Sequence, residues 1–204
     1  MFDIVIEEIP RYKKIKEKPK LSLYDALNES YNYNPDNNPF RTQGFKRDDL
    51  LSDHEVQVFH RPERKKLLIT TKGTNPLNYQ DILTDALLLT GSQSRRFAKT
   101  KKVLDEAKKK HGYKRAVLVG HSLAHPVNQQ AADKYDKVIS YNGAPYPFKS
   151  KSKNVKHIAV EGDPVSLLAK VDKKIKGNST YFNKHGLEHI KGKKKFQDLF
   201  KLEL

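Results

Sequence analysis

The chain has 204 residues, enough for a compact domain with its own core, and 36% of them are hydrophobic. Cysteine is absent, which excludes a disulfide framework and thiolate metal sites, and no run approaches the roughly 18 consecutive apolar residues of a membrane span. Forty Lys and Arg against 24 Asp and Glu leave a formal charge of +16, a surface that attracts polyanions such as nucleic acid, anionic lipid or acidic partners.

Residues 1–20 read as an extended arm. Met1 to Glu8 carries acids where a signal peptide needs a basic lead. The expectation is an intracellular protein, cytoplasmic or membrane-peripheral, with neither signal peptide nor transmembrane segment. Arg11 to Lys20 holds six bases and one acid, and Lys191, Lys193, Lys194 and Lys195 form a second basic cluster. Leu21 to Tyr31 is predicted helical from the spacing of Leu23, Ala26, Leu27 and Tyr31. The Asn- and Pro-rich stretch that follows is a loop. Glu55 to Phe59 alternates as a strand, Arg61 to Arg64 is a turn, and Lys66 to Thr71 is a second strand able to pair with the first. Asn78 to Leu89 and Ser92 to Lys110 have helical stripes, the second with Phe97, Val103, Leu104 and Ala107 inward. Arg115 to Val119 is a short apolar run that suits a buried central strand. Gly120 to Ala124 and a helix to about Ala132 follow. Lys137 to Tyr141 and Val155 to Val160 are further strands. Strands alternating with helices predict a mostly parallel central sheet with helices on both faces, in a single α/β domain over residues 1–204.

The chemistry concentrates at Gly120-His121-Ser122-Leu123-Ala124. A serine hydroxyl is a poor nucleophile at neutral pH and needs a base in hydrogen-bond reach, together with donors for the oxyanion. A tight strand-to-helix turn lifts the side chain above the sheet and aims free N–H groups at the reacting carbonyl. Such a turn needs small residues two positions before and after the serine, here Gly120 and Ala124. Pro126 falls in the first helical turn, where no N–H partner is lost. In this architecture an acid and then a histidine follow the serine. Asp163, in the turn Gly162-Asp163-Pro164-Val165 after a strand, is the candidate acid. His185 and His189 are the histidines that remain after it, and one of them is the expected base. His121 is too constrained by the elbow to serve its neighbour, and His125 is placed at the pocket mouth. No metal motif and no cofactor motif occurs, so neither is expected.

These segments resemble the class 3 lipases, the fungal-lipase-like branch of the α/β-hydrolases, over residues 55–190. Lys72-Gly73-Thr74-Asn75-Pro76 is similar to the family's Arg-Gly-Thr/Ser segment, and Asp81 to Ala86 to its acidic-apolar stretch with Ile82 for tryptophan. Gly120 to Ala124 matches the Gly-His-Ser-Leu-Gly elbow except at Ala124. Gly162 to Val165 matches the acid turn, and His185-Gly186-Leu187-Glu188 resembles the terminal histidine segment. The resemblance implies Ser122 as nucleophile, Asp163 as orienting acid and His185 as base. His185, on the polar connection after Asn178 to Lys184, is preferred to the alternative base His189, which suits the start of a final helix. The resemblance also implies an oxyanion hole from the backbone N–H groups of Thr74 and Leu123, with the Thr74 hydroxyl as a third donor. Lys72 stands where the family has an arginine that helps hold the oxyanion loop.

The implied activity is serine carboxylic-ester hydrolysis, as a lipase or phospholipase on acylglycerol or phospholipid esters at an anionic membrane surface. The lack of a long apolar lid points to an open, small or basal-fold enzyme rather than one with strong interfacial activation. The alternatives are a small-molecule esterase or thioesterase, and a non-catalytic basic binding or particle-associated protein that keeps the fold. Nucleic acid is not the expected partner, because no zinc finger, RNP or similar motif accompanies the charge. The sequence fixes no oligomeric state.

Overall fold

The structure, a computed structural model, describes residues 21–73, 91–146, 148–167, 169, 171–175, 187, 190 and 191. Helix α1 spans Leu23–Tyr31. It starts at a capping box in which Ser22 Oγ accepts the Asp25 N–H at 3.1 Å and the Asp25 carboxylate reaches back to Ser22. Strands β1 (Lys46–Arg47), β2 (Val56–Arg61) and β3 (Lys66–Thr71) follow. Then come α2 (Gly91–His111), β4 (Val117–His121), α3 (Ala124–Ala131), β5 (Lys137–Tyr141), β6 (Asn154–Val160) and β7 (Lys173–Ile175).

The seven strands form one sheet in sequence order. β1, β2 and β3 are antiparallel, and every pairing from β3 to β7 is parallel. The mostly parallel sheet expected from sequence is therefore present, and so is the predicted hairpin, closed by a short helical turn over Pro62–Arg64. The central strand runs two residues further than its apolar stretch implies and carries Gly120 and His121 inside it. β1 and β7 are additions that the sequence does not announce.

Successive residues of β4 and β5 point to opposite faces. Val119 and Ile139 pack with Leu23 and Leu27 of α1, while Leu118 and Val138 pack with Leu104 and Ala107 of α2 and Ala131 of α3. Helices thus cover both faces, and the central strands are mostly apolar because their middle residues meet no water on either side. Each such Leu, Ile or Val contributes about 1.5–3 kcal/mol by leaving water.

At the amino ends of the parallel strands, the Asp136 side chain is fully buried. It accepts from the Ala116 N–H (2.9 Å), the Asp133 N–H (2.8 Å) and Lys108 Nζ (2.7 Å), joining the start of β5 to β4 and α2. Asp136→Ala leaves these donors unmatched and is expected to cost about 3 kcal/mol. Asp133→Ala, at a partly exposed carboxylate beside the same lysine, is expected to cost within about 1 kcal/mol. Urea unfolding of the two variants measures the contrast.

A second buried acid sits on α1. Glu29 is largely buried, and its Oε1 has no hydrogen-bond partner among the described residues. Burial pushes its carboxyl up from 4.5 to about 7, against the pull of the Arg47 charge. Between those values the folded protein holds a proton that the unfolded chain has released. Its contribution to stability is therefore present below about pH 4.5 and is lost as pH rises toward 7. Glu29→Gln is expected to gain on the wild type when unfolding midpoints at pH 5 and pH 8 are compared. A pH-independent difference would contradict the assignment.

Candidate active site

β4 passes through Gly120 and His121, and α3 begins at Ala124. Between them Ser122 adopts φ 57°, a left-handed conformation that costs a residue with a Cβ about 1–3 kcal/mol. The turn is fixed from the neighbouring strand. Ser122 N–H donates to Tyr141 O at 3.3 Å, while Ser122 O accepts from Ala144 N–H at 3.2 Å and from His125 N–H at 3.1 Å. Ser122 is fully buried, and its Oγ has no hydrogen-bond partner among the described residues. Any molecule that is to reach Oγ therefore requires the atoms over it to move aside.

The need for a small residue at Gly120 is steric. A Cβ there would lie 2.6 Å from the Ala124 Cβ and 2.7 Å from Asn128 Nδ2. Ala124 is tolerated because the position across the turn carries no side chain, so one methyl fits and two do not. Asn128 is held in turn by the Thr71 hydroxyl, which donates to its Oδ1 at 2.7 Å. Pro126 occupies the first turn of α3, as anticipated.

The far end of β3 reaches the same turn. A Cβ on Gly73 would lie 2.5 Å from His121 O and 2.3 Å from Tyr31 Oη, so this backbone can approach the elbow only as glycine. Tyr31 Oη is 2.7 Å from His121 Nδ1 and also bonded by the Gly73 backbone. Burial drives the phenol pKa upward, with the Arg96 charge and the Gly73 bond opposing. The phenol therefore stays protonated and shares a hydrogen bond with Nδ1. This tether fixes the direction of the His121 ring. Arg96 of α2 donates to the Lys72 carbonyl. A guanidinium from α2 thus grips this loop at Lys72.

Asp163 lies three residues beyond β6 and is buried, in a turn that uses positive φ at Gly162. Its N–H donates to Val160 O at 3.0 Å, and its Oδ2 accepts the Ser166 N–H at 2.8 Å. Asn142, at φ 45°, donates to Ile158 O and accepts from Val160 N–H through Oδ1, both at 2.8 Å, clamping the ends of β5 and β6 together. Leu123, Ala144 and Val165 form one buried cluster that joins the elbow to the acid turn. Ser122 and Asp163 thus share the carboxyl edge of the sheet, on strands two spacings or about 10 Å apart. Leu123 is the N-cap of α3, where N–H groups lack intrahelical partners. Thr74, His185 and His189 lie outside the described residues.

His125 is not at a pocket mouth. It is buried, with its ring bonded to the Ser140 hydroxyl and to the Gln129 amide (2.6 Å), and packed 4.4 Å from the His157 ring. It follows the elbow by three residues on the first turn of α3, so its side chain turns toward β5. Burial, reinforced by His157, holds its pKa well below the usual value, and it supports the elbow as a neutral ring. Tyr31, Arg96, Asn128 and Asn142 were not expected from sequence to shape this site. Tyr31 reads there as one more position of an amphipathic stripe.

No protein-family profile matches the chain, and no curated protein matches it in sequence. Among solved structures, the crystal structure of Lip2 lipase from Yarrowia lipolytica is similar at a TM-score of 0.41 and 14% identity, over 69% of this chain and 68% of that one. A likeness this loose fixes neither a family nor an activity.

The steric reading of the elbow makes a specific demand. Gly120→Ala is expected to lose about 1–3 kcal/mol through overpacking, measurable by thermal or urea unfolding. Adding Ala124→Gly to it moves the single methyl to the other side of the turn and should recover most of the loss. An additive double variant would refute the one-methyl rule.

Proposed function

We propose that the chain is a serine carboxylic-ester hydrolase of lipase or phospholipase type, with Ser122 as nucleophile. The observation that carries this reading is a serine at left-handed φ on a strand-to-helix turn, its hydroxyl oxygen buried without a hydrogen bond among the described residues. An ordinary surface turn would place glycine or asparagine at such a φ. A serine there is worth its strain when the hydroxyl must stand clear of the sheet.

In the proposed reaction Ser122 Oγ attacks the ester carbonyl while His185 takes its proton. The tetrahedral oxyanion is held by the N–H groups of Leu123 and Thr74 and by the Thr74 hydroxyl. The histidine then protonates the departing alcohol, leaving an acyl-enzyme that water hydrolyses by the same steps in reverse order. Asp163 orients the imidazole and stabilises its charged form. His189 is the alternative base. The substrate is an acylglycerol or phospholipid ester, met at an anionic lipid surface to which the excess of lysine and arginine draws the enzyme. Among the described residues no helix is long and apolar enough to cross a membrane.

The test is a fluorophosphonate probe followed by a panel of p-nitrophenyl and lipid esters. Wild type should label and turn over ester, and Ser122→Ala should do neither. Asp163→Asn should keep the fold but lose turnover strongly, because the imidazole takes the wrong tautomer. His185→Ala should lose on the order of 10³-fold or more. A comparable loss at His189 alone would move the base there. Full turnover by Ser122→Ala would end the proposal.

A further inference from the structure

The carboxyl edge of the sheet carries Ser122, and the opposite edge carries a different feature. Where β3, β4 and β5 begin, a cavity of about 320 Å³ is lined by Arg64, Lys65, Lys66, Arg115 and Lys137, and by no acid. A second cavity, of about 660 Å³, adjoins it and is lined by Lys134, Lys149, Lys151 and Lys153, with Asp133 as its one acid. Tyr135 lines both and is 58% exposed, with Lys134 Nζ 4.8 Å from its ring centroid.

Among the described residues that line the two cavities, Asp133 is the one acid. Asp133 and Asp136 are engaged by Lys108 of α2, and Asp133 also by Lys101. Arg64, Lys65 and Arg115 are exposed, with no ion pair among the described residues. The wall also holds a buried Ser150 Oγ without a hydrogen-bond partner among the described residues. The groove is built on a firm base. Buried Asp136 locks the turn that bears Tyr135 to β4, and the Ser152 hydroxyl donates to Asp136 O at 2.7 Å, tying down the lysine-rich loop.

We infer that this groove binds single-stranded nucleic acid: its cations track the phosphodiester backbone and Tyr135 stacks a base. The starts of β3 through β6 span three strand spacings, about 14 Å, so the cations form a track. A basic groove that follows a strand, combined with an exposed ring, is the arrangement that holds unpaired bases without reading sequence. A bilayer is flat and engages protruding apolar side chains, whereas these cations line concave walls. The sequence points away from nucleic acid because no recognition motif accompanies the charge. A groove assembled from the starts of four strands leaves no such motif. The ester-hydrolase reading is independent of this inference, since the two sites lie at opposite edges of the sheet.

The test measures fluorescence anisotropy of a labelled oligothymidylate of about 20 nucleotides across a salt series. The triple variant Arg64→Ala/Lys65→Ala/Arg115→Ala should bind more weakly and flatten the slope of log affinity against log salt by about 2, at roughly 0.7 per lost phosphate contact. Arg95→Ala/Lys102→Ala/Lys109→Ala on α2 removes the same charge elsewhere and should leave the slope nearly unchanged. Tyr135→Leu should weaken single-strand binding about 10-fold. Melting curves report folding. Should the groove triple variant melt early, Arg64→Gln/Arg115→Gln replaces it, with a slope change of about 1.4. Equal losses for the groove and α2 variants would overturn the inference as net charge alone. Unchanged binding by Tyr135→Leu, or equal affinity for a blunt duplex, would overturn the single-strand claim. Groove-dependent binding to phosphatidylserine vesicles with oligonucleotide binding unaffected would assign the groove to lipid instead.

Discussion

The crowding at Gly120, Ser122 and Ala124 constrains everything else in the upper half of the molecule. A left-handed residue between a central strand and a helix is unfavourable by itself, so its neighbours must over-determine it. β5 supplies the Tyr141 carbonyl, the loop after it the Ala144 N–H, and α3 the His125 N–H, while Asn128 fills the space beneath the turn. β5 in turn is held to β6 by Asn142, and the acid turn follows directly from β6. One strained residue is thus braced by a sequence of contacts that runs to Asp163. Loosening any of these supports allows Ser122 to relax to ordinary φ, which would turn its hydroxyl away from its present direction.

The two edges of the parallel sheet are chemically unlike. At the carboxyl edge, polar groups are buried and fixed in direction: His121 on Tyr31, His125 between Ser140 and Gln129, Asp163 against the Ser166 N–H. At the amino edge, exposed charge is mostly positive, and the carboxylates Asp133 and Asp136 are engaged by lysines of α2. Both edges use buried polar anchors. Asp136 and Asn142 each join adjacent strands at one end of β5, and their satisfied hydrogen bonds keep these loop-bearing ends in register.

Much of the scaffold is legible in the residues. The α1 stripe, the β2–β3 hairpin, β5 and the long amphipathic α2 all carry periodic apolar positions, and periodicity reports which side of an element is dry. The elbow is legible for a different reason, because its small residues answer a steric demand that is local in sequence. β1 and β7 are not legible. Lys46-Arg47 and Lys173-Lys174-Ile175 lie at the two edges of the sheet, where little burial is required and no alternation marks them. Nor does local sequence identify the partners of the elbow. Arg96 looks like one of many bases on α2, and only the placement of Lys72 gives it a carbonyl to hold. His125 reads as a polar residue beside a serine, whereas a buried Ser140 on the next strand gives it a place in the interior.

The bond between Tyr31 and His121 spans 90 residues of chain. During synthesis α1 emerges long before β4 exists, and its apolar face has no sheet to cover until the strands beneath it have paired. The elbow likewise lacks its phenol brace until that helix docks. Contacts of such sequence separation form late and slowly, because the loop between them must close before they are rewarded. Bracing of the Ser122 turn is therefore complete only once α1 has docked. A nascent or partly degraded chain that lacks a docked α1 would carry the serine without this brace.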